Sequence, residues 1–139
     1  MEDCIFCKIV KGEIPSFKVY EDDRVFAFED ISPISEGHTL IIPKKHAENL
    51  YDIPGEDLAA IHLASRKIIK AIKAALNPLG VAVLQLNGRG ANQAVMHYHL
   101  HLMPRSAGGP ELPVTLWELK QGDMDAIKQT AEKIAAEIK

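Results

Sequence analysis

Met96-His97-Tyr98-His99-Leu100-His101-Leu102-Met103 alternates histidine with apolar or aromatic residues. As a β-strand, its two-residue period sends His97, His99 and His101 to one face and Tyr98, Leu100 and Leu102 to the other. One face then packs, while the other carries three groups that exchange protons near neutral pH. Half of the chain's six histidines sit in this run.

Outward from it, Val81 to Leu86 reads as a strand, joined to the histidine strand by the turn-prone Asn87-Gly88-Arg89-Gly90-Ala91-Asn92. Phe17–Tyr20 and Arg24–Phe28 read as a hairpin, and His38–Ile42 as a strand ending at Pro43. Leu58, Ile61, Ser65, Ile68, Ile72 and Leu76 recur at helical spacing, which predicts a long helix over 56–76. Its Arg66, Lys67, Lys70 and Lys73 suit a solvated outer face, and His62 an ordinary helix-face position. Asp3 is a candidate cap for a short helix carrying Ile5, Phe6, Ile9 and Val10. Asp123 can cap a closing helix with Ile127, Ile134 and Ile138 on its apolar face. Ser106–Pro110 reads as a loop, and Leu112–Leu119 gives no clear pattern. Hairpins, one long central helix and a terminal helix predict an α+β sheet with its helices on one side.

The 139 residues suit a single domain over 1–139, and 47% hydrophobic content is enough for a core. A net charge of −3 gives no electrostatic basis for gripping a nucleic-acid backbone. No stretch reads as a signal peptide or membrane span, so a cytoplasmic location is expected.

Three histidines in register invite three explanations. A single metal ion is the first, but His97 and His101 lie roughly 13 Å apart along a strand, and nitrogen–zinc bonds are only about 2 Å. The second is that the imidazoles satisfy local hydrogen bonds. The third is that a neutral imidazole attacks carbon or phosphorus while a neighbour serves the departing group. His99, flanked on both sides, is the best-placed nucleophile, and the Asn87–Asn92 loop could offer donors to an anion. No Walker-type lysine motif or dinucleotide fingerprint is present, and a histidine nucleophile needs neither.

His97-Tyr98-His99-Leu100-His101-Leu102-Met103 resembles the signature of the histidine triad (HIT) nucleotide hydrolases and transferases. Cys4-Ile5-Phe6-Cys7-Lys8-Ile9-Val10, Gly12-Glu13-Ile14-Pro15, Tyr20-Glu21-Asp22-Asp23, Phe26-Ala27-Phe28-Glu29-Asp30-Ile31 and Gly37-His38-Thr39-Leu40-Ile41-Ile42-Pro43-Lys44-Lys45-His46 resemble it in the same order. The likeness spans about residues 3 to 105. It implies a five-stranded antiparallel sheet with a long central helix and a C-terminal helix, in a homodimer whose two sheets are continuous. It also implies a hydrolase that binds adenosine or other purine nucleotide conjugates and cleaves them at the α-phosphate. By that resemblance His99 forms a nucleotidyl-histidine intermediate that water resolves to AMP. His101 contacts the phosphoryl oxygens and leaving group, and His97 steadies the neighbouring imidazole.

The resemblance also implies that Asp30 receives the ribose hydroxyls, and that Phe6, Ile9, Phe28 and Ile31 wall the base. Asn87 matches a polar contact to the phosphate or sugar region, and Gln93 fits the family pattern. Two positions depart from the phosphoramidase branch, Ala94 where serine is usual and Asn92 where glycine is common. Loss of that hydroxyl removes a donor from the phosphate pocket, and Met103-Pro104-Arg105 resembles forms that act on dinucleoside polyphosphates. Diadenosine polyphosphate hydrolase is therefore the alternative substrate reading. Nucleotidyltransferase and a non-catalytic nucleotide-binding regulator are the alternatives in mechanism, with a zinc-dependent structural protein ranked last.

Cys4-x-x-Cys7 alone fits redox chemistry, metal binding or two small apolar helix residues. The thioredoxin-like context is missing. Some bacterial members of the resembling family use the four positions matched by Cys4, Cys7, His46 and His97 for a structural zinc, a chemically ordinary donor set. His38 is expected to orient a backbone or pack beside the triad.

Overall fold

The computed structural model describes residues 3–109 and 120–139; the unpatterned Leu112–Leu119 and the end of the 106–110 loop lie outside the described residues. Strands β1 (Lys18–Glu21), β2 (Val25–Glu29), β3 (Thr39–Pro43), β4 (Gly80–Leu84) and β5 (Leu100–Arg105) form one antiparallel sheet in the order β1-β2-β3-β5-β4. Helices α1 (Ile5–Val10), α2 (Gly55–Leu76) and α3 (Met124–Glu137) and a single 3-10 turn at Arg89–Ala91 complete the described elements. The predicted five-stranded antiparallel sheet with its long central helix and C-terminal helix is thus present.

The two faces of β2 and β3 are both covered, which is why their sequences read as unbroken apolar runs. Val25, Ala27 and Ile41 face α2, where they meet Ile61, Ala64, Ile68 and Ile72 together with Tyr98, Leu100 and Leu102. Phe26, Phe28, Leu40 and Ile42 point the other way, onto Phe6 and Ile9 of α1. The expectation of helices on one side is corrected here: α1 packs opposite α2. At roughly 1.5–3 kcal/mol per buried large apolar side chain, both layers contribute to stability.

The cap of α1 is also corrected. Cys4, not Asp3, caps it, its sulfur accepting the Cys7 backbone N–H at 3.4 Å. Asp123 caps α3 as expected, accepting from the Asp125 and Ala126 amides. The apolar face of α3 is not buried: Ile127, Ile134 and Ile138 are 52%, 60% and 75% exposed, with no described residue covering them.

Tyr98, Leu100 and Leu102 do share one side, but the histidine run is only partly strand, since β5 begins at Leu100. The β3–β5 register pairs Thr39 with Leu102, Leu40 with His101 and Ile41 with Leu100. Two steps further along β3 lies Pro43, which has no N–H to donate, so the ladder stops. The Tyr98 amide instead donates to the Ala47 carbonyl at 2.7 Å, and His97–His99 lie outside the sheet.

Gly37, just before β3, has φ +86°, and a Cβ there would lie 2.6 Å from Leu76 Cδ1 and 3.2 Å from Pro104 Cγ. Gly37→Ala should therefore cost about 1–3 kcal/mol of unfolding free energy from left-handed strain and crowding, measurable by denaturant titration; an unchanged midpoint would contradict this packing.

Candidate active site

Each histidine of the run finds different company. His97 is fully buried, and its Nε2–H donates to the Pro43 carbonyl at 2.8 Å. That bond leaves Nδ1 as the lone-pair nitrogen. Around Nδ1 lie Cys4 Sγ at 3.3 Å, Cys7 Sγ at 3.6 Å and His46 Nδ1 at 3.2 Å, and Cys7 Sγ is 3.4 Å from His46 Nδ1. These four residues form a cluster that could hold a metal ion. Burial pushes the Cys7 thiol up, with Cys4 beside it adding to the shift, and holds His97 down to about 4.

His99 faces a different pocket. Its Nδ1 lies 2.7 Å from the His97 carbonyl, so Nδ1 carries the proton and Nε2 keeps its lone pair. Burial lowers its pKa, which favours the neutral, nucleophilic ring. Phe6 stands edge-on to His97 and His99, with centroids at 5.8 and 5.2 Å, and so separates the metal-type cluster from the reactive one.

His101 sits in β5 itself, between Leu40 of β3 and Leu84 of β4. Its ring is 4.9 Å from that of His99, and its Nδ1 is 2.9 Å from His38 Nε2. Burial, with the charges of His99 and His38, holds it at about 4, against an ordinary 6.5. The unfolded chain then binds more protons, so the contribution from His101 is complete above pH 6.5 and is lost as pH falls toward 4. Denaturant titrations across that window should show stability declining with acid; a flat profile would contradict the depressed value.

A cavity of about 300 Å³ lies over His99 and His101. Ile5, Phe6 and Ile9 of α1 form one wall, with Ile14, Pro15, Ser16, Phe28, Leu40, Ala94 and Val95 continuing it and Glu29, Asp30 and Ile31 at the acidic end. Ile31 is 83% exposed and so forms rim rather than wall. Asp30 Oδ1 accepts the Ser32 amide at 2.8 Å, and Oδ2 lies 3.7 Å from His38 Nε2. Sequence reasoning named Phe6, Ile9, Phe28, Asp30 and Ile31 for this place; it missed Ile14, Pro15 and Ser16, although Gly12-Glu13-Ile14-Pro15 is part of the resembling pattern.

Asn87 and Gln93 are not among the residues lining the cavity. Gln93 is buried, its Oε1 accepting from the Gly88 amide at 2.7 Å and the Asn49 side chain, while Nε2 donates to the Glu48 and Val95 carbonyls. Asn87 Oδ1 takes the Leu50 amide and the Gln85 side chain. The Ala91, Asn92 and Gln93 amides bond within the loop as well. Much of the 87–93 segment's hydrogen bonding is thus internal, with the Gly88, Ala91, Asn92 and Gln93 amides all held within it. Asn92 has φ +67°, which explains why asparagine or glycine suits this position.

A model of the HIT domain family matches residues 11–108. The chain belongs to the HIT domain family. Among HIT relatives, the "Protein hit" of Bacillus subtilis is 50% identical over 108 residues, covering 78% of this chain and 74% of that protein. The adenosine 5'-monophosphoramidase of Candida albicans is 43% identical, covering 97% of this chain and 91% of its own. A HIT family protein from Bacillus anthracis superposes with a TM-score of 0.91 at 41% identity, over 99% of both chains. No described helix of this HIT chain is long and apolar enough to cross a membrane.

Proposed function

We propose that this HIT protein is a nucleotide hydrolase that cleaves adenosine or other purine nucleotide conjugates at the α-phosphate, phosphoramidates or related AMP-linked compounds among them, and releases AMP. The observation that carries this reading is the His99 ring, whose Nδ1 is tied to the His97 carbonyl at 2.7 Å within the 300 Å³ cavity. His99 Nε2 attacks phosphorus, the bond to the leaving group breaks, and water then displaces the nucleotidyl group from the imidazole. His101 contacts the phosphoryl oxygens and leaving group, and His97 steadies His99 through its carbonyl. Phe6, Ile9, Phe28 and Ile31 hold the base, while Asp30 accepts the ribose hydroxyls. Asn87 and Gln93 serve the nucleotide by bracing the loop behind it. The yeast-type relatives named adenosine 5'-monophosphoramidase support the same reaction class.

The test is AMP release from an adenosine phosphoramidate and from a diadenosine polyphosphate, with mass spectrometry to trap nucleotidyl-protein. Release with a His99 adduct is expected; no AMP from either would overturn the reading. Diadenosine polyphosphate hydrolysis is the second reading. Ala94 offers no hydroxyl to the leaving group, and beyond it a second cavity of about 480 Å³ gives room for a large one. Transfer to another acceptor, or binding without turnover, would emerge from the same assay. Asp30→Asn should weaken AMP binding roughly ten- to hundredfold, the scale of a hydrogen bond to a charged group, with little loss for 2′,3′-dideoxy-AMP. Equal losses for both ligands would remove Asp30 from ribose recognition.

Cys4, Cys7, His46 and His97 fit a structural zinc. In a tetrahedral site sulfur and nitrogen ligands lie about 3.6 Å apart and two nitrogens about 3.3 Å, close to the observed 3.3–3.6 Å and 3.2 Å. Bound there, zinc would tie α1 to the sheet without touching the reaction. The free thiols suit a cytoplasmic setting. A homodimer joined into one continuous sheet is consistent with β4, which among the described residues pairs only with β5 and leaves Val83 51% exposed. The whole of 1–139 is read as one domain.

A further inference from the structure

His38 is buried at 3% exposure, immediately before β3, and its ring lies 5.2 Å from that of His101, which also packs against His99. Both of its ring nitrogens are committed. The Ile34 backbone amide donates to Nδ1 at 3.1 Å. A backbone N–H is always a donor, so Nδ1 must be the lone-pair nitrogen and the neutral ring carries its proton on Nε2. Asp30 Oδ2, 3.7 Å from Nε2, favours the same placement. The Nε2–H then points at His101 Nδ1, 2.9 Å away, which must accept. The chain Ile34 N–H, His38, His101 therefore leaves the only His101 proton on Nε2.

We propose that His38 is a positioning residue that fixes the tautomer of His101, so that His101 meets the reacting group as an Nε2–H donor. The opposite tautomer would turn a lone pair toward an anionic phosphoryl oxygen. The same bonds disfavour a different use of this corner. Asp30, His38 and His101 offer three ligand atoms close enough for a metal ion. Ligation through His38 Nε2 would move the ring's proton to Nδ1, where it would oppose the Ile34 N–H.

The inference rests on the nucleotide hydrolase reading for its functional half, and the tautomer is measurable without any substrate. Long-range proton–nitrogen NMR on 15N-histidine protein should give the Nε2–H form for His101 at pH 7 to 8. His38→Gln keeps an amide donor near the position of Nε2 and should preserve both that tautomer and kcat within about fivefold. His38→Glu presents only an acceptor, so the proton should move to His101 Nδ1. At pH 8 kcat should fall by about 100-fold, the scale of losing one well-aimed donor, with KM little changed. A partial recovery at lower pH is expected, as His101 gains a second proton opposite Glu and beside Asp30 and His99.

A wild-type His101 protonated on Nδ1 would overturn the proposal. So would a His38→Glu protein with an unchanged tautomer or an unchanged kcat. If His38→Glu does not fold, the wild-type and His38→Gln spectra decide. Should no AMP-linked substrate be turned over, the hydrolase reading fails while the spectra still test the tautomer.

Discussion

Replacing His99 by alanine should reduce AMP release by at least about 1,000-fold and eliminate the trapped nucleotidyl adduct. The size follows from the chemistry. Removing a nucleophile removes the covalent route itself, and losses of this order or larger accompany such deletions in other covalent hydrolases. Neither neighbour can take over. The His97 lone pair faces Cys4, Cys7 and His46, and His101 Nδ1 faces His38. The fold should survive, because His99 contributes one hydrogen bond and edge contacts to Phe6 and His101, and truncation costs a few kcal/mol at most. AMP binding should persist through Asp30 and the base wall. A His99→Ala protein that still releases AMP at more than one-hundredth of the normal rate would exclude His99 as nucleophile.

The second large effect is expected from metal removal. Helix α1 has six residues, too few to be stable alone, yet it supplies Ile5, Phe6 and Ile9 to the cavity and Cys7, with its cap Cys4, to the metal-type cluster. A zinc ion bound only by the folded chain stabilises it by mass action. Chelation, or Cys4→Ser with Cys7→Ser, should lower Tm by roughly 10 °C or more, the shift for about 3 kcal/mol in a domain of this size. AMP affinity should fall with it, as the base wall loosens. Zinc content by atomic emission, followed against Tm and AMP binding, makes the linkage measurable. Protein that contains no zinc when purified with zinc present, or that keeps its Tm in chelator, would remove the metal from the account.

Periodicity in the sequence located nearly every described element. The predicted helix at 56–76 is Gly55–Leu76, and the first three strands lie within a residue of their expected bounds. Those patterns depend on one segment's own apolar spacing, which local reading captures. What escaped depends on partners. The strand start at Leu100 is set by Pro43, far away in sequence, and the side taken by α1 is set by Phe26, Phe28, Leu40 and Ile42. Ile127, Ile134 and Ile138 have helical spacing but no described covering surface, and spacing cannot report a missing partner. In the candidate site, family likeness drew together the cavity wall and the Cys–His cluster. It did not distinguish Gln93 and Asn87 as loop braces, because a polar side chain looks the same in sequence whether it meets a ligand or a carbonyl.

The strand order β1-β2-β3-β5-β4 sets a sequence of events for folding. β1, β2 and β3 are joined by short links and can zip locally as hairpins. The inner edge of β3 then waits for β5, about sixty residues downstream, with α2 and β4 synthesised in between. Closing so long a loop is the costly step in such a topology. His101 arrives on the strand that performs it, with His99 just ahead, so sheet closure and assembly of the reactive pocket are one event. A nascent chain stopped short of residue 99 would carry Phe6, Ile9, Phe28 and Asp30, but an unpaired central edge and no His99.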